Sequence, residues 1–153
     1  EEKQKIAHFF NDRPNAMKNV NIKITKSKCK ELVSELMINN DITMETLHAL
    51  AIFYKRKVVV YNDIVSYSIE PHDYDDMADV IQIRKKNKDY YYMDASVANI
   101  DDLFVIERYD APLKAISNYK VDELRNISKR LGITPEKNDK QSHYIEIVKR
   151  CIL

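Results

Sequence analysis

From Lys26 to Asn39 the apolar side chains Cys29, Leu32, Val33, Leu36 and Met37 recur at i, i+3, i+4, i+7 and i+8. That spacing lines one face of an amphipathic helix. Asn39-Asn40-Asp41 ends the pattern. A second stripe follows almost at once at Leu47, Leu50, Ala51 and Tyr54, with Asp41 or Thr43 able to cap the new helix and Glu45 in its first turn. So short a connection predicts an αα-hairpin. Ahead of it, residues 1 to 22 are polar and aperiodic apart from Ile6, Ala7, Phe9 and Phe10, which predicts a short helix and then an extended lead-in.

The period then shortens. Lys57-Val58-Val59-Val60-Tyr61 is a β-branched run too short for a helix and suited to a buried strand. Asn62-Asp63 can turn the chain, and Val65, Tyr67 and Ile69 alternate along a return strand. A second pair is predicted at Val80 to Arg84 and Asp89 to Met93, joined by a Lys-Lys-Asn-Lys turn at 85 to 88, and a last strand at Leu103 to Arg108. Helices leading into consecutive hairpins predict an α+β body at residues 1 to 110: an N-terminal helical hairpin with a small, mostly antiparallel sheet. Asp110-Ala111-Pro112 breaks the pattern and marks the boundary.

Beyond that boundary, residues 111 to 153 hold two further helical stripes. Val121, Leu124, Ile127 and Leu131 form the first, and Gly132 stands where an αL cap belongs. Pro135 keeps Thr134 out of helical space. Asn138 or Asp139 can cap a second helix carrying Tyr144, Ile147, Val148, Cys151 and Ile152. Two such helices bury only a small core, so the module needs a neighbour.

Charge follows this partition. The net charge of +1 divides into −3 for residues 1 to 110 and +4 for residues 111 to 153. Composition excludes more than it suggests. A single glycine rules out glycine-rich phosphate loops, dinucleotide fingerprints and the nucleophile elbow. Two cysteines are too few for a disulfide framework or a zinc site on paired cysteines, and a reducing compartment is expected. No apolar run suggests a membrane span, so a soluble protein with no membrane partner is expected. Residue 1 is Glu, which fits a fragment or processed product.

The stretch from Ser117 to Leu153, with Tyr119-Lys120-Val121-Asp122-Glu123-Leu124-Arg125 before Leu131-Gly132-Ile133 and Lys137 to Lys140 leading into Tyr144-Ile145-Glu146-Ile147-Val148, resembles SAP-like helix–extension–helix modules. The resemblance implies DNA binding. The wider order of Thr46-Leu47, Ala51-Ile52-Phe53-Tyr54, the Val-Val-Val-Tyr strand, the tyrosine-rich hairpins and Pro112 to Lys120 looks like uncharacterised proteins of large nucleocytoplasmic DNA viruses, which implies a place in the virion or in the cytoplasm or nucleus of an infected cell. The loop from Thr134 to Lys140 departs from the SAP pattern in having no glycine.

A phosphate would suit the free N–H groups at the second helix's start, beside Lys137 and Lys140, with Lys120, Arg125, Lys129 and Arg130 extending the contact. A secondary contact is conceivable at Lys85, Lys86, Lys88 and Tyr91, because aromatics on a sheet can stack bases. Core packing of Tyr90 to Tyr92 and a solvated lysine turn are the plainer readings. The rival function is virion or complex assembly, with the two helices and the sheet as protein-interaction surfaces.

Catalysis and metal binding are not expected. Cys29 sits on an apolar helix face rather than at an exposed helix start. The four histidines have no metal-binding spacing, and His48 reads as a satisfied, partly buried residue. The acidic stretch Glu70, Asp73, Asp75, Asp76 and Asp79 lacks calcium-loop spacing. It reads as a solvated loop or an electrostatic partner for basic groups.

Overall fold

A computed structural model describes residues 1–13, 15–16, 25–38, 42–87, 89–93 and 99–153. Among them the chain is α+β, with five α-helices and one five-stranded sheet: α1 (Glu2–Asp12), α2 (Lys26–Ile38), α3 (Met44–Tyr54), β1 (Val58–Tyr61), β2 (Val65–Ile69), β3 (Ile81–Lys86), β4 (Asp89–Met93), β5 (Phe104–Val105), α4 (Val121–Arg130) and α5 (Lys140–Cys151). The lead-in before α2, most of the α2–α3 connection with Asp41, and Lys88 lie outside the described residues.

The helices fall where the apolar periods put them, but their packing differs. α2 buries Cys29, Leu32 and Leu36 mainly against α1, which contributes Ile6, Ala7 and Phe10, so α1 rather than α3 is its principal partner. α3 touches both. It is capped by Thr43, whose hydroxyl accepts the Thr46 N–H at 3.1 Å. Its buried residues run consecutively from Thr46 through Ala49 and include Met44, Ala51 and Ile52, so it is covered on more than one side. Tyr54, expected in the stripe, is instead half exposed, and its hydroxyl donates to the Glu2 carboxylate. Edge-to-face contacts from Phe10 through Phe9 and Phe53 to Tyr54 tie α1 to α3.

The sheet order is β4-β3-β1-β2-β5. β1, read as a continuous apolar run, takes the middle position and is buried throughout. The Asn62 side-chain oxygen accepts the N–H groups of Ile64 and Val65, each at 2.8 Å, which fixes the turn into β2. β3 and β4 pair antiparallel from Gln82↔Met93 to Lys86↔Asp89. The sheet as a whole is mixed rather than mostly antiparallel, because β5 runs parallel to β2 with Val65 opposite Phe104 and Ser66 opposite Val105. Local patterns reveal hairpins. A parallel pairing of strands more than thirty residues apart leaves no local signature, and the residues between them supply the crossover it requires. β5 is also shorter than the strand expected at Leu103 to Arg108.

The chain divides into two compact units: residues 1–60 with 68–98, and residues 61–67 with 99–153. The core of the first includes Phe10, Leu32, Val60 and Ile69. That of the second includes Val65, Leu124, Ile147 and Cys151.

Candidate nucleic-acid interface

In the second unit, α4 opens with the Lys120 N–H bonded to the Glu123 carboxylate, and both Asp122 and Glu123 lie in its first turn, where the helix dipole favours acids. It closes with two bonds, Gly132 N–H to the Lys129 carbonyl at 3.2 Å and Ile133 N–H to the Ser128 carbonyl at 2.8 Å. This is a Schellman closure with Gly132 at φ +65°. α5 opens at Asp139, whose carboxylate accepts the Ser142 N–H at 2.8 Å. That bond, together with the Ser142 hydroxyl, holds the Asp139 carboxyl below its ordinary value. The helix start expected to receive a phosphate therefore already faces an anion of its own chain.

Arg125 is likewise engaged. Its Nε donates to Asn138 Oδ1 at 3.0 Å, its Nη2 to the Asn138 carbonyl at 3.2 Å and its Nη1 to Asp122 Oδ1 at 3.0 Å. The guanidinium fork clamps the loop before α5 onto α4, and a phosphate would have to displace these acceptors.

Behind it lies a pairing that the hydrophobic pattern does not foretell. His143, buried in α5, has Nε2 2.9 Å from Asn138 Oδ1 and Nδ1 2.8 Å from Ser128 Oγ. Asn138 Oδ1 receives the Arg125 Nε–H, so it is the acceptor; Nε2 donates to it and Nδ1 accepts the Ser128 hydroxyl proton. Ser128 is 1% exposed, which makes the pair a packing contact between helices rather than a reachable nucleophile. Its only signal in the sequence is a polar residue on each buried face.

The remaining assigned cations face outward. Lys120, Lys129, Arg130 and Lys137 are exposed and Lys140 is half-buried. Among the described residues the ion pairs of this unit are Arg108–Asp110, Arg125–Asp122 and Lys149–Glu146. Lys120, Lys129, Lys137 and Lys140 belong to none of them. The Arg130 guanidinium lies 5.6 Å from the Phe104 ring centroid. The basic bias of residues 111 to 153 does not extend to the unit containing them: residues 61–67 and 99–153 together hold ten Lys and Arg against ten Asp and Glu. Any attraction for phosphate is therefore local.

The same unit has a cleft of about 620 Å³ that no sequence pattern announces, lined by Val105, Arg108, Pro112, Leu113, Tyr119 and Ile127 among others. Phe104 and Ile106 donate their N–H groups to the Ile64 and Ser66 carbonyls, and Val105 is 67% exposed. Tyr119 and Tyr144 fix its rim by bonding the Lys114 N–H and carbonyl.

In the first unit, Lys85 and Lys86 belong to β3 rather than to a turn, and Lys88 lies outside the described residues. The tyrosine run is not core. Tyr92 is 76% exposed, Tyr91 is 49% exposed, and only Tyr90 is half-buried, beneath the Lys85 ammonium at 5.2 Å. Placement on β4, at the sheet's edge, accounts for this.

The acidic stretch from Glu70 to Asp79 folds against the basic triplet that follows α3. Lys55 pairs with Asp73 at 3.0 Å, Lys57 with Glu70, and Arg56 Nη2 donates to the Asp79 carbonyl at 2.7 Å. Among the described residues no cluster of His, Cys, Asp and Glu could hold a metal ion, and no helix is long and apolar enough to cross a membrane. Cys29 and Cys151 are buried, and burial pushes both thiols up, Cys151 to about 11. Compared with protein-family models, with curated proteins and with solved structures, the chain matches none.

Proposed function

We propose that this chain is a non-enzymatic nucleic-acid-binding protein that holds duplex DNA mainly by its phosphates, through the helix–extension–helix segment from Lys120 to Leu153. The observation that carries the reading is the set of lysines at 120, 129, 137 and 140 that take part in no ion pair among the described residues. Ammonium groups outside such pairs exchange condensed counterions for phosphate without first breaking an ion pair within the protein. Arg130 joins them. Arg125 acts as a positioning residue that holds the loop bearing Lys137, and the SAP-like resemblance and a role in a large DNA virus belong to the same reading.

Four to five neutralised phosphates correspond to a log–log salt slope of roughly −4. Fluorescence anisotropy with a labelled duplex at low and moderate salt tests it. Reversing Lys129 and Lys137 to Glu is expected to flatten the slope by about 0.9 for each phosphate that is no longer neutralised, with the circular dichroism unchanged. No binding at low salt ends the proposal, and an unaltered slope moves the site elsewhere.

The cleft beside β5 favours a second reading, virion or complex assembly. Val105 is exposed on a strand at the sheet's edge, and an extended segment of another protein could add there. Association with another protein that is insensitive to salt would select it.

A further inference from the structure

We infer that the β3–β4 hairpin is a second nucleic-acid site of a different kind, a platform on which a base of single-stranded nucleic acid stacks on Tyr92. This goes beyond the duplex site, lies in the other unit and uses none of its residues. Tyr92 is 76% exposed on a strand at the end of the sheet order, so its ring covers no core. The register places Ile83 opposite Tyr92 and Lys85 opposite Tyr90. Side chains two apart on a strand share a face, so Tyr92, Ile83, Tyr90 and Lys85 form one surface. Ile83, opposite Tyr92 in the register, is half-buried.

Lys85 lies about 6.8 Å along the strand from the Tyr92 pair, about the reach from a stacked base to a neighbouring phosphate. Its ammonium is already held 5.2 Å from the Tyr90 ring centroid, so little freedom is lost when a phosphate arrives. Charge selects the ligand. Among the described residues of the hairpin Lys85 is the charged side chain on this face, and the single acid of residues 81 to 93, Asp89, stands opposite Lys86 on the other face. An aromatic face with a cation beside it is the arrangement that binds single strands without regard to sequence, because every base presents a π-face. A duplex keeps its bases stacked on one another and gains nothing from Tyr92.

The chain has no tryptophan, so Tyr92→Trp supplies a unique fluorophore at the platform. Titrating this variant with oligo(dT) and oligo(U) is expected to quench its emission saturably. Tyr92→Ala is expected to weaken oligo(dT) binding roughly tenfold or more, while Tyr92→Phe retains it and duplex affinity stays unchanged. Lys129→Glu with Lys137→Glu should show the converse, which separates failure of this site from failure of the duplex site. Unquenched emission at saturation, or Tyr92→Ala binding oligo(dT) like the unaltered chain, would overturn the inference. So would a spectral change that follows protein concentration without oligonucleotide, since β4 edges would then be pairing with each other.

Discussion

His48 lies wholly inside the fold, its Nδ1–H donating to the Met44 carbonyl at 2.6 Å. Burial lowers its pKa from 6.5 to about 4, against the opposing pull of that carbonyl and of Glu45. The imidazole is thus kept neutral when folded and takes up a proton more readily when unfolded. Its contribution to stability is complete above pH 6.5 and is lost as the pH falls through about 4. The difference amounts to about 3 kcal/mol at most. Chemical denaturation between pH 7 and pH 4 is expected to show this loss, and His48→Leu to remove most of that pH dependence. An equally steep profile in the variant would place the titrating group elsewhere. Backbone conformation shows the same dependence on setting at single residues. The chain's one glycine adopts φ +65°, but Lys55 at 52° and Asn87 at 57° also enter left-handed space. Scarcity of glycine excluded glycine-rich loops without excluding left-handed turns.

Arg125 shows what helices α4 and α5 ask of their surface charges. Its fork joins α4 to Asn138, and Asn138 joins the fork to buried His143. Arg125→Lys removes the planar donors while keeping the charge, and is expected to destabilise the second unit by about 1–2 kcal/mol. Lys129→Ala, on a solvated side chain, should change stability by less than about 0.5 kcal/mol. Equal effects in thermal melts would mean that the clamp contributes nothing. The sequence could locate both helices, because the 3.6 period, Gly132 and Asp139 are local signals. It could offer Arg125 the local acceptor Asp122, three residues before it, but not Asn138, which is thirteen residues away and became adjacent only through folding. The tyrosine strand followed the same logic. Alternation separated Tyr91 from Tyr90 and Tyr92, but exposure depended on β4 taking an edge, which is a property of strand order. The parallel β2–β5 pairing and the cleft beside it were hidden for that reason too.

Across the whole molecule, charge is nearly balanced, with 25 Lys and Arg against 24 Asp and Glu. The balance holds within the second unit, and in the first the acidic stretch from Glu70 is met by Lys55 to Lys57. Such a protein has little monopole field beyond the Debye length of roughly 8 Å at physiological ionic strength, so it cannot draw DNA from a distance as a strongly basic protein does. The cations that belong to no ion pair among the described residues act only at close range. On the proposed duplex-binding function, capture and retention should therefore respond differently to salt. The association rate with duplex is expected to stay in the ordinary range of roughly 10⁵–10⁷ M⁻¹s⁻¹ and to vary weakly with salt, while the dissociation rate carries most of the slope of roughly −4. Stopped-flow anisotropy at several salt concentrations separates the two rates. If association slows with salt as steeply as affinity falls, long-range steering is present, and the basic groups must form a more continuous patch than close-range binding requires.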